Sequence, residues 1–132
     1  MAAGDSAMSS SRRGSLNSKY RRRTRRRRHM QIEHWHEERD GPLSERALRD
    51  KIAGRGYAVS RYVYPPGTFF PAHDHGVDKI DAVVSGRFRM TMGSQEVVLE
   101  AGDLLIVPKH LMHTAEVVGE EPVVSLDGVR MR

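Results

Sequence analysis

From Tyr57 onward the chain consists of short runs with strand-like alternation, each closed by a turn signal. The runs fall at 58–64, 79–84, 87–92, 96–99, 104–107, 114–118 and 123–127. Between them lie Pro65-Pro66-Gly67, Ser85-Gly86, Gly93-Ser94, Gly102-Asp103, Pro108 and Gly119-Glu120-Glu121-Pro122. Short runs at regular spacing, each closed by a turn signal, are the pattern of antiparallel strands. They predict an all-β domain built as an antiparallel sandwich or barrel over residues 57–132. No repeat of solenoid period is evident.

The segment before it has a different grammar. Residues 31–36 read as a short edge strand, and Asp40-Gly41-Pro42 interrupts the chain. Pro42 suits a first helical position, and Leu43, Ala47, Leu48 and Ile52 keep near-helical spacing up to Gly54 and Gly56. One short helix over 42–53 is therefore expected, within an N-terminal unit of residues 30–56.

Residues 1–29 carry ten Lys/Arg against the single acid Asp5, whereas residues 30–132 carry 12 basic and 16 acidic side chains. The formal net charge of +5 thus belongs to the tail, and the remainder is mildly acidic. The tail has almost no apolar side chains to offset its ordering entropy, so it is expected to be a disordered Arg-rich segment. Arg21 to Arg28 is broken only by Thr24, and such a run binds phosphate polymers without sequence specificity. Met30-Gln-Ile-Glu-His-Trp reads like the start of a compact protein, which makes a mis-assigned start upstream of Met30 the first reading of the tail. Nucleic-acid contact ranks second, conditional on the tail being expressed, and a transit-like targeting role third.

The absence of cysteine excludes disulfides, thiolate zinc sites and thiol nucleophiles. No apolar run approaches the roughly 18 residues of a membrane span. A cytoplasmic protein without a membrane partner is expected. No Ser–His–Asp arrangement and no Gly-rich phosphate loop stands out.

Histidines carry the chemical signal: His73 and His75 one residue apart, and His113 beyond a Pro-containing turn. Side chains at i and i+2 of a strand share a face, and an imidazole from another strand could complete a metal site. The spacing around them is Gly67, five residues, His73-Asp74-His75, three residues, Lys79, six residues, Gly86. A second segment runs Gly102, five residues, Pro108-Lys109-His110, two residues, His113, three residues, Val117. Together these segments resemble the two motifs of the cupin superfamily over residues 67–117. Three positions depart from the family pattern: Lys79 stands where it has Glu, His110 where it has Gly, and Val117 where it has Asn. The resemblance implies a double-sheet antiparallel β-barrel (jelly roll) with an internal pocket. It also implies that His73, His75 and His113 ligate a metal.

Three neutral imidazoles suit a divalent transition metal such as Fe, Mn, Zn, Ni or Cu better than Ca or Mg, and leave coordination positions open. Lys79 and Asp81 share a strand face and are the candidate catalytic residues. Three readings of Lys79 are open. It pairs with Asp81 and merely fills a former ligand position; it binds an anionic substrate group or acts as an acid/base; or Asp81 or Asp78 replaces the missing carboxylate ligand. Arg87, Arg89 and Thr91 alternate with Phe88, Met90 and Met92, and either face could be solvated. Tyr62 and Tyr64 read as packing residues with hydroxyls at the rim, and His34 and His36 as part of an edge strand.

The expected function is a small metal-binding protein that takes a small organic ligand, with oxygenase, isomerase or decarboxylase chemistry open. The rivals are a non-catalytic binding or sensor barrel and a nucleic-acid-associated protein acting through the tail. A homodimer is expected because sheet edges otherwise remain open.

Overall fold

A computed structural model describes residues 30–131. The basic tail and the expectations attached to it lie outside the described residues. The elements are β1 (Gln31–Glu33), α1 (Glu37–Asp40), α2 (Glu45–Ala53), β2 (Tyr57–Tyr64), β3 (Phe69–His73), β4 (Lys79–Ser85), β5 (Arg87–Met92), β6 (Gln95–Leu99), β7 (Leu104–Val107), β8 (His113–Val118) and β9 (Val123–Arg130). All strand pairs are antiparallel. They form a five-stranded sheet of order β1-β7-β4-β9-β2 and a four-stranded sheet of order β3-β8-β5-β6. The two ladders remain separate sheets, as in a jelly roll. Among the described residues no helix is long and apolar enough to cross a membrane.

Alternation along the strands creates two cores. Val83 on β4, Phe88, Met90 and Met92 on β5, Leu105 and Val107 on β7, Ala115 and Val117 on β8, and Val123 on β9 pack between the sheets. Residues of opposite parity, Ile80, Ala82, Leu104 and Leu126, face outward and are covered by Leu48 and Ile52 of α2. Those two are one helical turn apart, hence on one face. The centre of the larger sheet is therefore buried on both sides, which explains the near-continuous apolar run of β4. On β5 the ambiguity resolves with Phe88, Met90 and Met92 inward, while Arg89 pairs outside with Glu116 at 3.1 Å and Glu96 at 3.5 Å.

Several boundaries differ from the expectation. The helix α2 begins three residues after Pro42, because extended Ser44 caps it, its side chain accepting from Ala47 N at 3.0 Å. One turn, α1, precedes it, ended by Gly41. Strand β1 stops at Glu33, so His34 and His36 lie outside it, His34 bonding Asp103 at 2.7 Å. Strand β3 was not among the expected runs: Pro71 interrupts its alternation, and its register shifts between Phe70 and His73. Proline is tolerated there because β3 is an edge strand. Gly86 turns β4 into β5 at φ +85°, and a Cβ there would run into the Pro122 carbonyl.

Candidate functional site

The two sheets are filled by side chains at one end and leave a cavity of about 210 Å³ at the other. His73, His75 and His113 stand on one side of it. His73 is the last residue of β3 and pairs in register with His113, the first of β8. His75 lies beyond the strand, so the expected shared strand face does not bring it to His73; the loop does. That loop is tied to the turn before His113 by two bonds. His110 N donates to the His75 carbonyl at 2.7 Å, and Lys109 N donates to Asp78 Oδ1 at 2.8 Å.

The potential ligand atoms of the three imidazoles all lie within 4.8 Å of one another. His73 Nδ1 lies 2.7 Å from the Pro71 carbonyl, and His113 Nδ1 lies 2.9 Å from that of Leu111. A carbonyl only accepts, so each Nδ1 carries the proton and each Nε2 keeps a free lone pair in the neutral ring. Metal-ligating histidines are oriented in this way. Burial lowers the His75 pKa, and Lys79, His113 and His73 add to the shift. Burial likewise lowers that of His113, against the Leu111 bond, which raises it. His75 and His113 thus favour the unprotonated, coordinating form. Donor chemistry, convergence and protonation state all fit a divalent transition metal.

The larger sheet supplies the opposite wall. Lys79 and Asp81 of β4 point inward with Val83, as their spacing requires. Lys79 Nζ lies 3.7 Å from Asp81 Oδ1 and 3.3 Å from Asp127 Oδ2. Asp127 Oδ1 also accepts from Ser125 Oγ at 2.8 Å. Burial disfavours the Lys79 ammonium, but Asp81 and Asp127 outweigh it and raise its pKa above the ordinary value. Asp81 is pushed up to about 7, by burial and by Asp127, against the pull of Lys79. Neither Asp81 nor Asp78 joins the converging ligand group. The Asp78 side chain instead holds the Lys109 amide.

Asp127, Phe70 and Phe88 line the cavity without having been singled out, and Tyr64 lines it with them. Asp127 was legible in principle: Val123, Ser125 and Asp127 alternate on one strand face. Tyr62 is 46% exposed, outside the cavity lining. His110 takes the turn position that the motif gives to glycine, with φ 66°.

The family model described as cupin domain matches residues 60–129. The chain belongs to the cupin domain family. Solved structures resemble this cupin over a little more than half of the chain. Bacillus subtilis oxalate decarboxylase, a protein with Mn(II) centres, is 28% identical with a TM-score of 0.51, over 57% of this chain and 22% of its own. A Klebsiella pneumoniae protein with a double-stranded β-helix domain is 26% identical with a TM-score of 0.50, over 57% of this chain and 67% of its own. The DMSP lyase of Ruegeria pomeroyi is 23% identical with a TM-score of 0.53, over 58% of this chain and 39% of its own, a likeness of fold alone. The cupin thus spans about a fifth of the decarboxylase and two fifths of the lyase. Among curated protein sequences none matches.

Proposed function

We propose that this cupin binds one divalent transition metal through His73, His75 and His113 and a small organic ligand between its sheets, with Lys79 and Asp81 as the charged groups facing that ligand. The observation that carries the reading is the orientation of the imidazoles. Their ligand atoms converge within 4.8 Å while the Nδ1 atoms of His73 and His113 are engaged by carbonyls. The manganese of the 28% identical decarboxylase supports a redox-capable ion over Ca or Mg.

A metal bound there would supply Lewis-acid polarisation of a ligand oxygen and sites for water or dioxygen. The chain's own contribution is positional and electrostatic. Phe70 and Phe88 exclude water from the ligand, and the Nδ1 bonds fix the imidazole rings. Asp81, with its raised pKa, can hold or release a proton near neutrality, the property an acid/base group needs. Oxygenase, isomerase and decarboxylase chemistry all fit this arrangement.

A second reading, a ligand-binding sensor without catalysis, is favoured by Lys79, which stands at the family's Glu position and is engaged by Asp127 and Asp81. Metal analysis of untagged protein, as purified and after incubation with Mn, Fe, Zn, Ni or Cu salts, tests the proposal. About one equivalent per chain is expected, lost in the His73→Ala/His113→Ala double variant. Failure of the folded wild type to retain any of these ions would remove the metal from both readings.

A further inference from the structure

The wall facing the histidines has an unbalanced inventory. One ammonium, Lys79, stands against two carboxylates, Asp81 and Asp127. Asp127 is satisfied on both oxygens, by Lys79 and by Ser125. Asp81 is not. It is only 7% exposed, it lines the cavity, and its Oδ1 has no hydrogen-bond partner among the described residues. Its nearest cation, Lys79 Nζ at 3.7 Å, is too far to donate and is nearer Asp127. That oxygen is itself enclosed, but the side chain it belongs to borders the cavity, and a buried carboxylate short of donors calls for one from whatever fills that cavity.

Lys79, conversely, is poorly placed to recruit an anion. Its charge is already countered twice over, and an anionic group set beside it would also meet Asp81 and Asp127. The remaining lining reinforces a preference for positive charge. Tyr64, Phe70 and Phe88 border the same cavity, with ring centroids 5.0 to 6.4 Å apart. Aromatic faces attract cations. At about 210 Å³ the space lies below the roughly 300–1,000 Å³ of drug-sized sites, so the occupant is small.

We propose that Asp81 is a specificity determinant for a protonated amine, so that the ligand is a small zwitterion whose oxygen-bearing end faces the histidines and whose ammonium donates to the Asp81 carboxylate. The architecture sets the two ends apart. The cross-strand pair His73/His113 belongs to one sheet and the cross-strand pair Asp81/Asp127 to the other. A molecule lying between the sheets meets a metal-ligating surface at one end and an acidic one at the other. The proposal rests on the metal-and-ligand reading above for the oxygen end only, since Asp81 is not one of the converging ligands.

The test compares amines with isosteres that lack the charge: β-alanine against butyrate, and glycine against propionate, with malonate as a dianionic probe. Calorimetric titration uses the full chain at mildly alkaline pH, loaded with Mn(II) and metal-free, with metal content measured in each sample. The amino acids are expected to bind at least about tenfold tighter than their isosteres, and Asp81→Asn to shrink that preference to about threefold or less while leaving metal content unchanged. Asp127→Asn, which removes the second carboxylate, is expected to weaken the preference in the same direction, and thermal unfolding verifies that both variants fold. Equal binding of β-alanine and butyrate, malonate as the tightest probe, absence of amine binding at millimolar concentration, or an undiminished preference in folded Asp81→Asn would each overturn the proposal. Loss of metal uptake with amine preference intact in the metal-free protein would instead overturn the metal reading alone.

Discussion

His73 and His113 face one another across the β3–β8 ladder, ring centroids 4.3 Å apart, each with its Nδ1 beside the carbonyl of the residue two positions earlier. Residues 40 apart in sequence thus reach equivalent local geometry. The register shift that Pro71 accompanies in β3 lies just before His73, and the Pro108 turn lies just before His113. The histidines sit where regular pairing starts or stops, and backbone carbonyls fix the orientation of two of their rings.

That geometry predicts a metal-dependent gain in stability. At a free metal concentration a hundredfold above Kd, a ligand of the folded state alone adds about 2.7 kcal/mol. His113→Ala should abolish this increment in a thermal shift assay with and without metal. Since the folded-state pKa values of His75 and His113 are lowered, the unfolded chain takes up protons first as pH falls below the ordinary histidine value. In metal-free Asp81→Asn protein, which lacks the carboxylate that titrates in the opposite sense, stability should therefore fall on acidification through that window, and bound metal should be released in the same direction. A pH-independent melting temperature of that variant between pH about 7 and 5 would contradict this assignment.

Asp81 gives the opposite pH dependence. Its pKa is raised from 3.8 to about 7 in the folded protein, so the folded state holds a proton that the unfolded chain has released. Stability attributable to this group falls as pH rises from about 4 to about 7 and stays low above. Asp81→Asn removes the buried charge and should stabilise the protein on the order of 2–4 kcal/mol at alkaline pH and little near pH 4. Urea unfolding at both pH values measures the difference. A variant less stable than wild type at alkaline pH would mean that Lys79 compensates the carboxylate fully.

Much of this was legible because period-2 alternation is a local property. The inward face of β4 and the inward row Phe88, Met90, Met92 follow from spacing alone, and the two spaced motifs locate all three histidines. What escaped had non-local causes. Strand β3 is disguised by Pro71, which only an edge position permits. One of the open readings pairs Lys79 with Asp81, one pleat away, and that pair is present at 3.7 Å, but Asp127, directly opposite Asp81 on a strand distant in sequence, lies closer at 3.3 Å. Cross-strand registers of that range are not written in either segment.

His110 adopts φ 66° in the turn between Pro108 and His113, a left-handed conformation that costs a non-glycine residue about 1–2 kcal/mol. Its side chain offers little in return: it is exposed and lies 3.9 Å from Asp74. Glycine would relieve the backbone but lose about 0.5–1 kcal/mol to its greater freedom when unfolded. His110→Gly should therefore raise stability by about 0.5–1 kcal/mol and His110→Val should lower it, measured by chemical denaturation. A destabilised His110→Gly variant would imply that the imidazole has a role beyond the turn.

Edge strands β2 and β3 are joined by a short loop and expose Tyr62, Val63 and Phe69, the last two more than half accessible. Unpaired edges carrying apolar side chains favour association. Light scattering on size-exclusion fractions is expected to give a dimer that Val63→Lys/Phe69→Lys converts to a monomer. A monomeric wild type at micromolar concentration would remove this face as an interface.

Gly128 lies where α2 crosses the larger sheet, and a Cβ there would come within 2.8 Å of Ile52 Cγ2 and 3.1 Å of Tyr57 Cβ. Both neighbours are buried, and Ile52 is wholly enclosed, so neither can swing aside into solvent. Gly128→Ala must push the helix away from the sheet, a form of overpacking that costs about 1–3 kcal/mol. The strain falls on the outer core, on the face of the sheet opposite Lys79, Asp81 and Asp127. Gly128→Ala should thus lower the denaturation midpoint while leaving metal stoichiometry unchanged. Loss of metal together with stability would show that the helix–sheet contact and the histidine site are coupled through β4 and β9.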